Sequence, residues 1–80
     1  DQHQRIATGL SSEIYQFLKK KPCQVRAAPY DVRLSDSKKS TDDNQIYTVV
    51  QPDICVICDA AKIDRRGCIG APDWIIEILS

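Results

Sequence analysis

Eighty residues suffice for one small domain, and a chain of this size buries only about 60% of the surface it exposes when unfolded, so its core is thin. Hydrophobic residues make up 42% and charged residues 28%, which is the composition of a globular chain and excludes an intrinsically disordered one; no apolar run approaches the roughly 18 residues of a membrane-crossing helix. Eleven basic and eleven acidic residues cancel to a net charge of +0, so bulk charge leaves no footprint for nucleic acid.

The first element reads as a helix. Ile6, Leu10, Ile14, Phe17 and Leu18 recur at i, i+4, i+8, i+11 and i+12 and form one apolar stripe. Lys19, Lys20 and Lys21 sit where cations suit the helix dipole, and Pro22 ends the segment. Gly9 lies mid-helix at a cost of about 1 kcal/mol relative to Ala, which we assign to the close packing of another backbone. His3, near the helix start, reads as a polar surface residue.

From Cys23 the period falls to two. Cys23, Val25 and Ala27 alternate with more polar neighbours, Pro29 interrupts, and Tyr30, Val32 and Leu34 resume the alternation, so one bent strand is expected. Ser35 to Gln45 is polar and reads as a mobile loop. Ile46 to Gln51 is a further strand, ended by Pro52. Asp53 to Cys58 is apolar on both faces apart from Asp53, as in a central strand covered on both sides. Asp59 to Pro72 is turn-rich and carries Lys62, Arg65 and Arg66; Trp74 to Leu79 reads as a second buried strand, broken only by Glu77. These elements make a mixed α+β fold, an N-terminal helix packed on a mixed central sheet. Both ends look cut, since the chain opens at Asp1 without a Met and closes at Ser80 straight after an apolar strand; we expect residues 1–80 to be part of a larger domain.

Asp53 and Glu77 carry the chemical argument. An ionised carboxylate on a core strand costs several kcal/mol without a partner, so each needs a base, a proton or a metal. If their strands are neighbours in register, the two acids converge at one end of the sheet, and a hard divalent cation relieves their repulsion. Mg²⁺, or Mn²⁺ in its place, is held by one or two carboxylates plus waters and substrate phosphates, and promotes phosphodiester hydrolysis. The competing readings are a carboxylate that reaches water at a strand end, or one paired with Arg26 or Arg33.

Other features carry less. Asp73 follows Pro72 as Asp53 follows Pro52, but it lies too close to Glu77 for two strands to form and reads as a turn residue. Cys55 and Cys58 match a C-x-x-C pattern, yet residues three apart on a strand point to opposite faces and cannot share a tetrahedral zinc. Because these cysteines lie in an apolar run, and the chain shows no signal-peptide pattern, we expect reduced thiols and a cytoplasmic location. The basic residues Lys62, Arg65 and Arg66 are candidates for phosphate contact near the mouth of the site.

Pro52-Asp53, a spacer, then Glu77 on an apolar strand resembles the PD-(D/E)XK nuclease superfamily. The longer phrases Val50 to Asp59, Arg66 to Asp73 and Ile76 to Ser80, with the opening His3-Gln4-Arg5-Ile6 and the stretch Ala28 to Leu34, resemble the Uma-type family within it. The resemblance implies a restriction-endonuclease-like core, metal coordination by Asp53 and Glu77, a DNA substrate in preference to RNA, no membrane association, and a homodimer. The lysine of the superfamily pattern, two positions after the second acid, is here Leu79. In the Uma-type family a following helix supplies it, and a further acid precedes this chain. A catalytically inactive nuclease-fold domain used for binding or assembly is the alternative.

Overall fold

The computed structural model describes residues 2–35 and 47–79, with Tyr47 through its backbone alone. In chain order the elements are α1 (Gln2–Leu18), β1 (Gln24–Ala27), β2 (Val32–Ser35), β3 (Tyr47–Val50), β4 (Ile54–Ile57), a 3₁₀ turn at Ala60–Lys62, β5 (Ile63–Asp64), β6 (Gly67–Ile69) and β7 (Trp74–Ile76). The helix followed by strands is the α+β class that the periodicities predict. Among the described residues no helix is long and apolar enough to cross a membrane.

α1 forms where the apolar spacing places it, but its packed face is rotated. The half-buried positions are His3, Ala7, Leu10, Ser11, Ile14 and Leu18, a run at i, i+4, i+7, i+8, i+11 and i+15 along one side of a helix. Ile6 and Phe17 fall at the margin of that face and are exposed, Phe17 by 75%. The expectation that a neighbouring backbone demands Gly9 is overturned: a Cβ at Gly9 would meet open space.

The strands form two sheets. Strand order is β1-β4-β7 in the first, all antiparallel, and β3-β2-β6-β5 in the second, where the β2–β6 pair is parallel and the other pairs antiparallel. The bent strand expected across Pro29 is therefore two strands in different sheets, separated at the cis Ala28–Pro29 peptide bond. Periodicity alone cannot report such a change of sheet, because alternation continues on either side of it.

β4 is buried along its whole length, as its unbroken apolar run requires. Cys55 and Ile57 pack with Val32 and Cys68 of the second sheet, and Tyr30, Leu34, Val50 and Ile63 close around them. On the other side Val56 faces Leu10 and Ile14 of α1 across an apolar groove. Trp74 to Leu79 departs from expectation. β7 covers only Trp74–Ile76 and is an edge of its sheet among the described residues, with Trp74 65% exposed. The run is apolar, but the described residues do not cover it on both sides.

The turn-rich stretch holds more structure than its composition suggests. β5 and β6 make a hairpin whose two-residue connection is Arg65-Arg66. Gly67 opens β6 with a φ of +123°, and a Cβ there would collide with the Asp31 carbonyl oxygen. Arg33, buried on β2, donates a 2.6 Å bond to Asp64 Oδ1 and ties the hairpin to the middle of the sheet. Of the loop expected over Ser35 to Gln45, all but Ser35 lies outside the described residues, as does Ile46.

The expectation of reduced thiols is overturned for two cysteines. Cys23 and Cys58 form a disulfide, while Cys55 and Cys68 are free and buried. The β1–β4 register explains the pairing: Gln24 lies opposite Ile57, so one step outward Cys23 lies opposite Cys58. Along the chain Cys58 belongs to the apolar run; which strand lies beside it is decided by the β1–β4 pairing.

Candidate metal centre

Register also decides where the two acids stand. β4 pairs with β7 so that Ile54 faces Ile76, Cys55 faces Ile75 and Val56 faces Trp74. One step beyond the Ile54–Ile76 pair, Asp53 and Glu77 come opposite each other at the same end of the sheet. They sit just outside the strands, because Pro52 has no N–H to extend the ladder and β7 ends at Ile76.

Backbone groups hold Asp53 on both sides. Its carbonyl oxygen accepts a 2.9 Å bond from the Ala28 N–H, extending the β1–β4 ladder. Its own N–H donates to Glu77 Oε1 at 3.1 Å. In return, the Ile78 N–H donates to Asp53 Oδ2 at 2.7 Å. Each carboxylate thus accepts a backbone N–H from the other's strand. Like charges facing across two strands are destabilising, and these reciprocal bonds offset part of that repulsion. Glu77 is exposed and Asp53 half-buried, so desolvation does not bring them together; strand register does.

The third side chain is His3, contrary to the expectation of a surface residue. Its Nε2 lies 3.2 Å from the Ile78 carbonyl oxygen and 3.4 Å from Asp53 Oδ2. A signal for it was present: His3 precedes Ala7 by four, Leu10 by seven and Ile14 by eleven, in phase with the packed face of α1. Beside it opens a cavity of about 380 Å³ lined by His3, Gln4, Ala28, Gln51 and Asp53 among others.

The donor set suits a hard cation. Two carboxylates on adjacent strand ends offer the oxygen ligands that Mg²⁺ or Mn²⁺ takes, with waters and substrate phosphates completing the shell. Among the described residues no three His, Cys, Asp or Glu side chains gather closely enough to hold a metal by themselves.

Lys62 follows the far end of β4 by way of the 3₁₀ turn, and Arg65 and Arg66 form the tip of the β5–β6 hairpin, where Gly67 abuts the Asp31 carbonyl. Lys62 Nζ donates to the Ala71 carbonyl oxygen at 2.9 Å, and Arg65 and Arg66 are exposed in the hairpin turn. Asp73 also stands at that far end. Its N–H donates to Val56 O and its Oδ2 accepts from the Cys58 N–H, pinning the start of β7 to β4; it is the structural residue its position suggested. Neither Arg26 nor Arg33 takes up the acids: Arg33 bonds Asp64, and Arg26 donates to Gln24 Oε1 and Val25 O. The C-x-x-C pair is divided between a disulfide and a buried thiol, which removes the zinc reading. Burial, reinforced by the neighbouring Cys68, pushes the Cys55 thiol up to about 11, so it is a protonated core residue.

The sequence model of Uma2, described as "Putative restriction endonuclease", matches residues 1–80. No curated protein and no solved structure matches the chain.

Proposed function

The chain belongs to the Uma2 family, and from that premise we propose that it forms part of a Mg²⁺-dependent endonuclease that hydrolyses DNA phosphodiester bonds. Family membership supports a nuclease function in general. The observation that carries the finer reading is the register of β4 and β7, which sets Asp53 opposite Glu77 at one end of the sheet.

The two acids hold the cation. Asp53 Oδ2 and Glu77 Oε1 are each engaged by a backbone N–H, which limits how far either carboxylate swings. Their other oxygens take part in neither bond and serve as the ligands. When bound there, Mg²⁺ or Mn²⁺ supplies a Lewis acid that polarises the phosphodiester and lowers the pKa of an attacking water. The chain has Leu79 where the superfamily pattern places a lysine; we assign that role to a helix following Ser80, and a further acid to a segment preceding Asp1. The exposed Arg65 and Arg66, with Lys62, fit contacts to phosphates, which position a duplex without reading its sequence. A homodimer, which the family resemblance implies, completes the proposal; the Cys23–Cys58 disulfide removes the thiol argument for a cytoplasmic setting.

The test is cleavage of plasmid DNA by the complete protein, with Mg²⁺ and with the metal chelated. Asp53→Ala and Glu77→Ala are expected to fold normally and to lose about a hundredfold or more in rate. Wild-type rates in both folded variants would remove the assignment. Retained DNA binding by a wild-type protein that cuts under no metal condition would support the non-catalytic alternative.

A further inference from the structure

We infer that His3 is a positioning residue of the same site: its ring Nε2–H ties the first turn of α1 to the Ile78 carbonyl and seats the ring against Asp53 Oδ2, and so fixes which oxygen of Asp53 faces the cation. The inference rests on the metal-site reading above and deepens it.

A carbonyl oxygen only accepts hydrogen bonds. The 3.2 Å approach of Nε2 to the Ile78 carbonyl oxygen therefore places the ring hydrogen on Nε2. The same Nε2 stands 3.4 Å from Asp53 Oδ2, within ion-pair range. Asp53 Oδ2 already accepts the Ile78 N–H at 2.7 Å. With the His3 ring beside it, this oxygen is engaged on its protein side, and Oδ1 is left as the metal-facing atom. Partners that orient a metal-binding carboxylate in this way tune affinity without touching the metal.

His3 also joins parts that the backbone does not. Asp53 precedes β4, Ile78 follows β7, and His3 stands in the first turn of α1. Its side chain is 36% exposed, at the wall of the cavity beside Asp53. A residue serving only to anchor the helix to the sheet would stabilise the fold and leave metal affinity unchanged.

The test is titration of Mn²⁺ alone into the protein, followed by the electron-spin-resonance signal of free Mn²⁺, with a thermal melt of each variant. The wild type is expected to bind Mn²⁺ and Asp53→Ala to bind none. His3→Ala is expected to weaken binding about tenfold or more. His3→Gln, whose amide N–H reaches to about the same point, should stay within about twofold of wild type. His3→Asn, whose shorter arm does not reach, should behave like His3→Ala. Should His3→Ala fail to fold, the Gln and Asn variants decide between them. Equal affinity in wild type, His3→Asn and His3→Ala would overturn the positioning role and leave the metal site standing. A wild type that binds no Mn²⁺ would overturn both.

Discussion

Among single residues, Arg33 and Asp64 show how this small protein handles charge. Arg33 is buried, and its guanidinium donates to the partly exposed Asp64 carboxylate. That bond, followed by the Arg66 N–H at the same oxygen, holds the Asp64 carboxyl below the usual carboxylate range. A carboxyl whose folded-state pKa is depressed contributes stability above its unfolded pKa of about 4 and loses it as pH falls through the lower folded value. Thermal melts of wild type and Asp64→Asn should differ most near pH 7 and converge in acid below pH 4. Because Asp64 reaches solvent, the gap is expected to be small and to shrink in high salt. A gap that widens in acid would refute the linkage.

At the scale of elements, two glycines make opposite demands. Gly9 sits in α1 with a helical backbone and open space where a Cβ would go. Gly9→Ala should therefore raise stability by about 0.5–1 kcal/mol, through helix propensity and a less flexible unfolded chain. Gly67 opens β6 with positive φ against the Asp31 carbonyl. Gly67→Ala should lower stability by about 1–3 kcal/mol, from a strained backbone and a displaced neighbour. Chemical denaturation of both variants reads the two signs directly. The strand pairs carry the functional consequence. The same outward step in register that joins Cys23 to Cys58 at one end of β4 brings Asp53 to Glu77 at the other.

Across the whole molecule, the apolar surface is distributed unevenly. The core between β4 and the second sheet is closed, whereas the side of β4 facing α1 opens into a groove of about 440 Å³ lined by Leu10, Ile14, Phe17, Val56 and Trp74 among others. Trp74 is the sole tryptophan and stands 65% exposed at this groove. Its fluorescence in the folded monomer should be red-shifted and readily quenched by acrylamide. A blue-shifted, protected signal would mean that something covers the groove in solution.

Much of this was legible along the chain. The 3.6-residue period located α1, the unbroken apolar run located β4, and Pro52-Asp53 with Glu77 marked the two acids and the family. Those are local properties, and local interactions suffice to express them. Other features depended on which segments lie side by side. The split of the chain between two sheets at Pro29, the Cys23–Cys58 bond and the part played by His3 all follow from pairing across long separations. A periodicity says which face of a strand turns inward; only the packed structure says what it meets there.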